Sequence, residues 1–201
     1  FNPNYFKIVD CKVQHDTSLL SLSGIIQNTG NQSLTVDGKR LTGEIIERYA
    51  FGLKNTGILA NGTIHGNIEG KFENPLINFT FDAKDLELDN SKLGNIKGYM
   101  KYADKKMLTN FAFLDAEGNE GKPLFLFDAM FAIDMSFTSV KERFLRNEPF
   151  QMKFTSDNFN LSQLGRIIPG IVDQRGFLQA DVNIGGTFAD PVYSGYANLS
   201  D

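Results

Sequence analysis

The sequence of 201 residues contains one cysteine, Cys11, and no tryptophan. A single cysteine excludes an internal disulfide, but it says little about the compartment, because an oxidising compartment permits disulfides without requiring them. No apolar run approaches the ~18 residues that a membrane-spanning helix needs. The net charge of -4 is small and has the wrong sign for nucleic acid or an anionic bilayer surface. We therefore expect no nucleic-acid partner.

Phenylalanine is abundant, with 18 Phe beside 6 Tyr. Phenylalanine has no polar group, so this many rings need a large dry surface. The hydrophobic fraction of 41% and the charged fraction of 22% are those of a folded protein. The length suits one domain over residues 1–201. The sequence opens at Phe1 without a methionine and stops at Asp201 after a strand-like segment, so we expect a fragment of a longer chain.

The longest regular pattern is LFLFDAMFAIDMSF, residues 124–137. Every second residue from Phe125 to Phe137 is apolar, whereas the other register carries Asp128, Asp134 and Ser136. A period of two predicts a strand whose alternate residues serve opposite faces. At roughly 3.3 Å per residue this strand would be about 45 Å long, which exceeds the usual length of about five or six residues.

Most of the remaining sequence also alternates between apolar and polar residues, in segments separated by turn residues at hairpin-length spacing. About a dozen strands predict an all-β, antiparallel architecture in which each sheet has a wet side. A change of apolar register at Lys84 and Asp85 predicts a bulge. Asp37-Gly38 predicts a turn, and residues 44–53 are ambiguous between helix and strand.

Two short helices are also predicted. Ser139 and Glu142 have the spacing of a capping box, which predicts a helix over residues 140–146. The apolar spacing of residues 161–168, followed by Pro169, predicts the second.

Two segments of the chain are alike. Residues 62–75 and 176–191 both run from glycine through alternating aliphatic residues to a motif Gly-x-Phe-x-Asn/Asp-Pro. The motif residues are Gly70, Phe72, Asn74 and Pro75 in the first, and Gly186, Phe188, Asp190 and Pro191 in the second. A repeated strand-turn-strand unit indicates a sheet extended by copying hairpins. The alternative is that such turns recur in any β protein.

The C-terminal stretch resembles the repeats of the TamB family, in the AsmA-like group of bacterial envelope proteins. Residues 62–98 look like another copy. The matching positions in the C-terminal stretch are Leu161, Leu164, Pro169, Gly176, Leu178, Ala180, Gly186, Thr187, Pro191 and Gly195.

This resemblance implies a fold and a setting. Members of the group have an elongated sheet curled into an open groove with a hydrophobic interior, described as a β-taco. The full proteins are anchored in the inner membrane and cross the periplasm. They are linked to phospholipid movement between membranes, and the TamB family is linked, with the outer-membrane barrel TamA, to outer-membrane protein assembly. The expected partners are therefore phospholipid and a TamA-like barrel.

The sequence offers no credible active site. His65 falls on the polar face of its strand, where a solvent-facing role is expected. Cys11 has no evident histidine partner, so we interpret it as a small core residue. Asp115, Glu117 and Glu120 do not have the spacing of a calcium loop. We therefore expect neither an enzyme nor a bound metal or cofactor.

The favoured functional hypothesis is a groove that binds phospholipid acyl chains, because acyl chains need an apolar wall and no convergent charges. One alternative is a scaffold that captures strands of outer-membrane proteins at an edge, around residues 192–199. Another is a closed β-sandwich binding module whose phenylalanines form an ordinary core. The predicted lining of the groove is Ile64, Ile68, Phe79, Phe81, Met100, Phe125, Phe127, Phe131, Ile133, Met135, Met152, Phe154, Val182 and Ile184.

Overall fold

The computed structural model describes residues 4–42, 58–88, 91–114, 123–161 and 175–200. Eleven strands in these ranges form one antiparallel sheet, in which the spatial order equals the sequence order. The first and last strands do not pair with each other, so the sheet is not closed. The strands are β1 (Tyr5–His15), β2 (Ser18–Gln27), β3 (Asn31–Leu41), β4 (Ile58–Lys71), β5 (Asn74–Leu88), β6 (Ser91–Ala103), β7 (Lys106–Leu114), β8 (Phe125–Ala132), β9 (Phe150–Asn160), β10 (Phe177–Gly186) and β11 (Pro191–Ser200).

The all-β, antiparallel prediction is confirmed, and the described residues form one sheet rather than two packed sheets. Those residues contain no α-helix, and none of them forms a helix long and apolar enough to span a membrane. The bulge predicted in β5 is also confirmed. The register of β5 against β6 shifts between Ala83 and Leu86, and Asp85 has a φ of 52°.

The repeated motif forms the same kind of turn in both places. Gly70 pairs with Pro75 between β4 and β5, and Gly186 pairs with Pro191 between β10 and β11. Both glycines have positive φ, 82° and 89°, a conformation that residues with a Cβ rarely adopt. The phenylalanine of each motif lies in the loop beyond the glycine. Equivalent sequence positions therefore have equivalent geometry in the two hairpins.

The long strand predicted over residues 124–137 is wrong beyond Ala132. Beyond Ala132 the ladder on both sides of β8 ends. The strands are antiparallel, so the last residues of β8 lie beside the first residues of its neighbours, and β7 begins at Lys106 and β9 only at Phe150. The connection that follows, residues 133–149, is called the crossing segment below. It runs along one end of the sheet, where the backbone N–H of Ile133 donates to the carbonyl of Lys105 at 2.9 Å.

The crossing segment contacts two further turns at the same end of the sheet. The N–H of Phe137 donates to the carbonyl of Phe72 at 2.8 Å, in the turn between β4 and β5. The N–H of Phe188 donates to the carbonyl of Arg146 at 3.3 Å, from the turn between β10 and β11. The alternation continues past Ala132 because Ile133 and Met135 still face apolar side chains, although the strand ladder has ended.

Two other predictions are wrong. Residues 140–146 are irregular rather than helical: Phe144 forms an isolated bridge with Ile133, and its ring stacks on Phe131 with centroids 6.0 Å apart. The turn predicted at Asp37-Gly38 is absent because Gly38 lies within β3 and pairs with both neighbouring strands. Residues 44–53, the loop 115–122 and all but the first residue of the predicted helix over 161–168 lie outside the described residues.

Candidate functional site: an apolar face of the sheet

One face of the sheet collects apolar side chains in rows that run across the strands. Residues directly opposite each other in an antiparallel pair project to the same face, so the register defines each row. The central row runs from β4 to β10 and consists of Ile64, Phe81, Gly98, Phe111, Phe127, Phe154 and Val182. This face is called the apolar face below.

Parallel rows lie on both sides of the central row. On the side of the crossing segment, the first row contains Phe79, Met100, Thr109, Ala129, Met152 and Ile184. The second contains Ile68, Ile77, Tyr102, Met107 and Phe131. The row on the other side of the central row includes Ile96, Phe113 and Phe125. These rows carry no charged residue.

The structure brings twelve of the fourteen predicted lining residues together on this face. The other two, Ile133 and Met135, lie in the crossing segment and pack against the cluster of Ile77, Tyr102 and Met107. All fourteen side chains are half-buried. Such partial burial fits a single layer, in which neighbours on the sheet cover the sides of each side chain and leave its outer end accessible.

Three large side chains of this face are fully buried at the end where the crossing segment lies. Ile77, Tyr102 and Met107 are 3%, 2% and 5% exposed, and residues of the crossing segment pack against them. The hydroxyl of Tyr102 accepts a hydrogen bond of 3.0 Å from the N–H of Met135. The crossing segment therefore covers one end of the apolar face.

The aromatic side chains of the central row contact each other across an intervening strand. Phe81 on β5 and Phe111 on β7 have centroids 5.1 Å apart, above Gly98 on β6. Phe111 in turn lies 6.1 Å from Phe127. The prediction of the lining missed Phe111, although it shares the period-two register of Met107 and Phe113 that would have revealed it.

A charged cluster fixes the crossing segment. The carboxylate of Asp134 is 2.9 Å from the Lys105 ammonium and also accepts a hydrogen bond from the N–H of Ser136 at 3.0 Å. Hydrogen bonding by Lys105, followed by that of Ser136, lowers the pKa of Asp134 to about 2. The same contact raises the pKa of Lys105. The guanidinium of Arg143 donates to the carbonyls of Asp134 and Ser136 at 2.9 and 3.0 Å.

The opposite face of the sheet is mostly polar, although Leu76 and Leu108 are exposed on it. His65 projects there, largely exposed, with its Nδ1 2.6 Å from a carboxylate oxygen of Asp37. Two shallow depressions of about 370 and 430 Å³ lie on this face, and His65, Thr80 and Tyr99 line both. In the described part of the chain, no three His, Cys, Asp or Glu side chains are placed to hold a metal ion.

Cys11 differs from its prediction as a core residue. It is exposed and lies on β1, which pairs with β2 alone among the described strands. His65 matches its prediction as a solvent-facing residue on the polar face.

Comparison of the chain with protein-family models, curated proteins and solved structures found no match. The resemblance to the AsmA-like group therefore stays a prediction from the sequence.

Proposed function

We propose that this chain is a non-enzymatic part of a longer periplasmic protein and that its apolar face binds phospholipid acyl chains. The observation that supports this proposal is the single-layer apolar face, whose phenylalanines are half-buried except for Phe113 and whose rows carry no charge. Removing apolar surface from water contributes roughly 25 cal/mol per Å². A large uncovered apolar patch on a protein marks a surface that binds something.

The chemistry of the face favours an acyl chain over a ligand with many polar groups. An acyl chain needs contact along its length and no directional hydrogen bonds. Most polar groups of the rows already have partners in the protein, as in Thr109, whose hydroxyl donates to the Tyr99 carbonyl at 3.2 Å. A lipid headgroup would stay in water at the margin of the face, since desolvating it is unfavourable.

The cellular location and the partner in this proposal are taken from the sequence resemblance. We propose that the full protein is anchored in the inner membrane, crosses the periplasm and acts with a TamA-like outer-membrane barrel. In this proposal the apolar face is the path along which lipid moves between the two membranes, curled into a groove. A scattering envelope of the purified chain would test the curvature, because a flat sheet would contradict a groove.

Lipid extraction and mass spectrometry of the purified protein test the binding proposal. We expect phospholipid to co-purify with the wild type and to be lost from Phe127→Asp, which places a charge in the central row. The matched control is Leu108→Asp, because Leu108 projects from the polar face and is 46% exposed. Absence of lipid from the wild type, or equal loss from both variants, would contradict the proposal.

A second candidate function is the capture of a partner's strand at β11. Among the described strands β11 pairs with β10 alone, and its one proline, Pro191, is its first residue. It has no charged residue, and Val192, Tyr193 and Leu199 are each more than 60% exposed. Sheet edges are usually protected by charges, bulges or proline. The other edge, β1, has such protection, with Lys7, Lys12 and an irregular register between Ile8 and Cys11.

Site-specific photocrosslinking distinguishes this second candidate. A photoreactive residue at Tyr196 should capture a synthetic peptide with the alternating sequence of an outer-membrane strand, and the same group at Val9 of β1 should not. Equal capture at both positions, or capture of lipid alone at Tyr196, would contradict strand addition at β11.

A further inference from the structure

Gln32 is a polar residue on the apolar face, near the end of the sheet that the crossing segment covers. It pairs with Ile26 of β2 and with Gly70 of β4, and Leu34 follows it on the same face. Gln32 is 6% exposed, and its amide Nε2 has no hydrogen-bond partner among the described residues. A buried donor without a partner destabilises a fold, so its presence in a native sheet requires an explanation.

Other polar side chains on this face have partners within the protein. The hydroxyl of Ser156 is 3.0 Å from the carbonyls of both Leu124 and Leu178. The hydroxyl of Thr109 donates to the Tyr99 carbonyl. Gln32 thus differs from Ser156 and Thr109 in offering an unused donor.

Two cations near this end of the face are already engaged by other groups of the protein. Lys105 is held by Asp134, and Arg143 donates to two backbone carbonyls. The Gln32 amide is itself an uncharged donor, and such a donor suits an uncharged oxygen acceptor better than a phosphate, which is usually bound by Arg or Lys.

We propose that the amide of Gln32 donates a hydrogen bond to the ester carbonyl of a lipid whose acyl chain lies on the apolar face. This inference rests on the function proposed above and identifies the polar contact that would orient the lipid. The ester carbonyl is the uncharged acceptor that directly adjoins an acyl chain. Gln32 would then hold the carboxyl end of the chain near the crossing segment, while the chain extends over the phenylalanine rows.

Nε2 is buried, so the proposal requires the side chain to turn before it meets such an acceptor. Glutamine has several rotatable bonds, and Nε2 gives up no hydrogen bond when it turns from its buried position toward the row of Leu34 and Ile68. Formation of a new hydrogen bond is therefore not offset by the loss of an old one.

A comparison of two ligands of equal length tests the proposal. Methyl decanoate and dodecane would compete with N-phenyl-1-naphthylamine for the protein, and its fluorescence gives both affinities. We expect the ratio of ester to hydrocarbon affinity to fall about threefold to tenfold in Gln32→Met, which keeps the side-chain length and removes the donor. Comparing ratios cancels the different hydration of the two ligands.

Thr109→Val is the matched control, since it removes a polar group of the same face that already has a partner. The ratio should stay at its wild-type value in this variant. An unchanged ratio in Gln32→Met, or an equal fall in Thr109→Val, would overturn the role of Gln32 while leaving acyl-chain binding intact. If neither ligand displaces the dye from the wild type, the proposed function fails, and this inference fails with it.

A measurement on the wild type alone guards against a variant that does not fold. The side-chain amide protons of Gln32 should move downfield in the ¹⁵N–¹H spectrum with methyl decanoate and not with dodecane. Equal shifts with both ligands would overturn the hydrogen bond.

Discussion

Phe81 and Phe111 lie two strands apart in the sheet and still contact each other, with their ring centroids 5.1 Å apart. The residue between them in the central row is Gly98, which has no side chain to separate the rings. A Cβ built on Gly98 would lie 2.6 Å from Cζ of Phe81 and would also overlap the carbonyl oxygen of Asn110. The glycine therefore makes the contact between the two rings possible.

Gly98→Ala should destabilise the protein by about 1–3 kcal/mol, because a methyl group is forced against a backbone carbonyl and a packed ring. Urea unfolding followed by circular dichroism measures the change. Gly185→Ala is the control, since a Cβ there would meet only the Phe150 carbonyl, at 3.6 Å. Equal stability of the two variants would show that the ring contact over Gly98 does not depend on the missing side chain.

The faces of the sheet could be predicted from the sequence, but contacts between distant strands could not. Period-two alternation identifies which residues share a face, and it placed Phe79, Phe127 and Phe154 on one side correctly. It contains no information on how far a ring leans across a strand. The contact over Gly98 depends on the register of three strands, which the turns and bulges determine together.

The residue at which β8 ends could not be predicted, for a related reason. An alternating sequence shows that one side of the backbone is apolar. It does not show whether the segment is paired in the sheet or packs against a neighbouring cluster from outside it. Ile133 and Met135 satisfy the pattern by packing on Tyr102 from outside the ladder. Ile133 and Met135 lie outside β8 because its neighbours β7 and β9 do not extend beside them. Where β7 and β9 begin is determined by other parts of the sequence.

A charge should have different effects at the two ends of β8. Phe131 stacks on Phe144 and packs against the buried cluster around Tyr102, so Phe131→Asp should destabilise the fold by about 3 kcal/mol or more. Phe127 lies in the central row away from the crossing segment, and Phe127→Asp should lower the melting temperature much less. Thermal melts of both variants measure this difference. A larger loss in Phe127→Asp would mean that the central row is the tightly packed part of the protein.

The ion pair of Asp134 predicts a dependence of stability on acid. Because folding lowers the pKa of this carboxyl from 3.8 to about 2, its contribution is fully present above pH ~4 and is lost as the pH falls toward 2. Asp134→Asn should reduce stability at pH 7 by about 1–2 kcal/mol and should flatten the profile between pH 4 and 2. Urea midpoints at several pH values measure both effects.

Asp16→Asn provides the comparison for this profile. Asp16 is exposed in the turn between β1 and β2 and has a φ of 50°, which asparagine tolerates well. Its side chain is 83% exposed, and its contact with His15 at 3.6 Å is screened by solvent, so its substitution should change the urea midpoints little. If Asp134→Asn keeps the wild-type slope between pH 4 and 2, then other carboxylates control the acid sensitivity and the crossing segment is held chiefly by its apolar contacts.

The last prediction concerns the two turns of the repeated motif. Gly70 and Gly186 both need positive φ, so alanine at either position should destabilise the protein by about 1 kcal/mol or more. Gly186→Ala should be the more harmful variant, because its Cβ would overlap the Asp190 carbonyl, whereas at Gly70 the nearest atom is 3.3 Å away. Urea unfolding of the two variants and of Gly185→Ala gives the ranking. If Gly186→Ala is as stable as its neighbour Gly185→Ala, the strained turn does not explain the glycine of the motif, and the likeness of the two hairpins would have to come from the phenylalanines that follow.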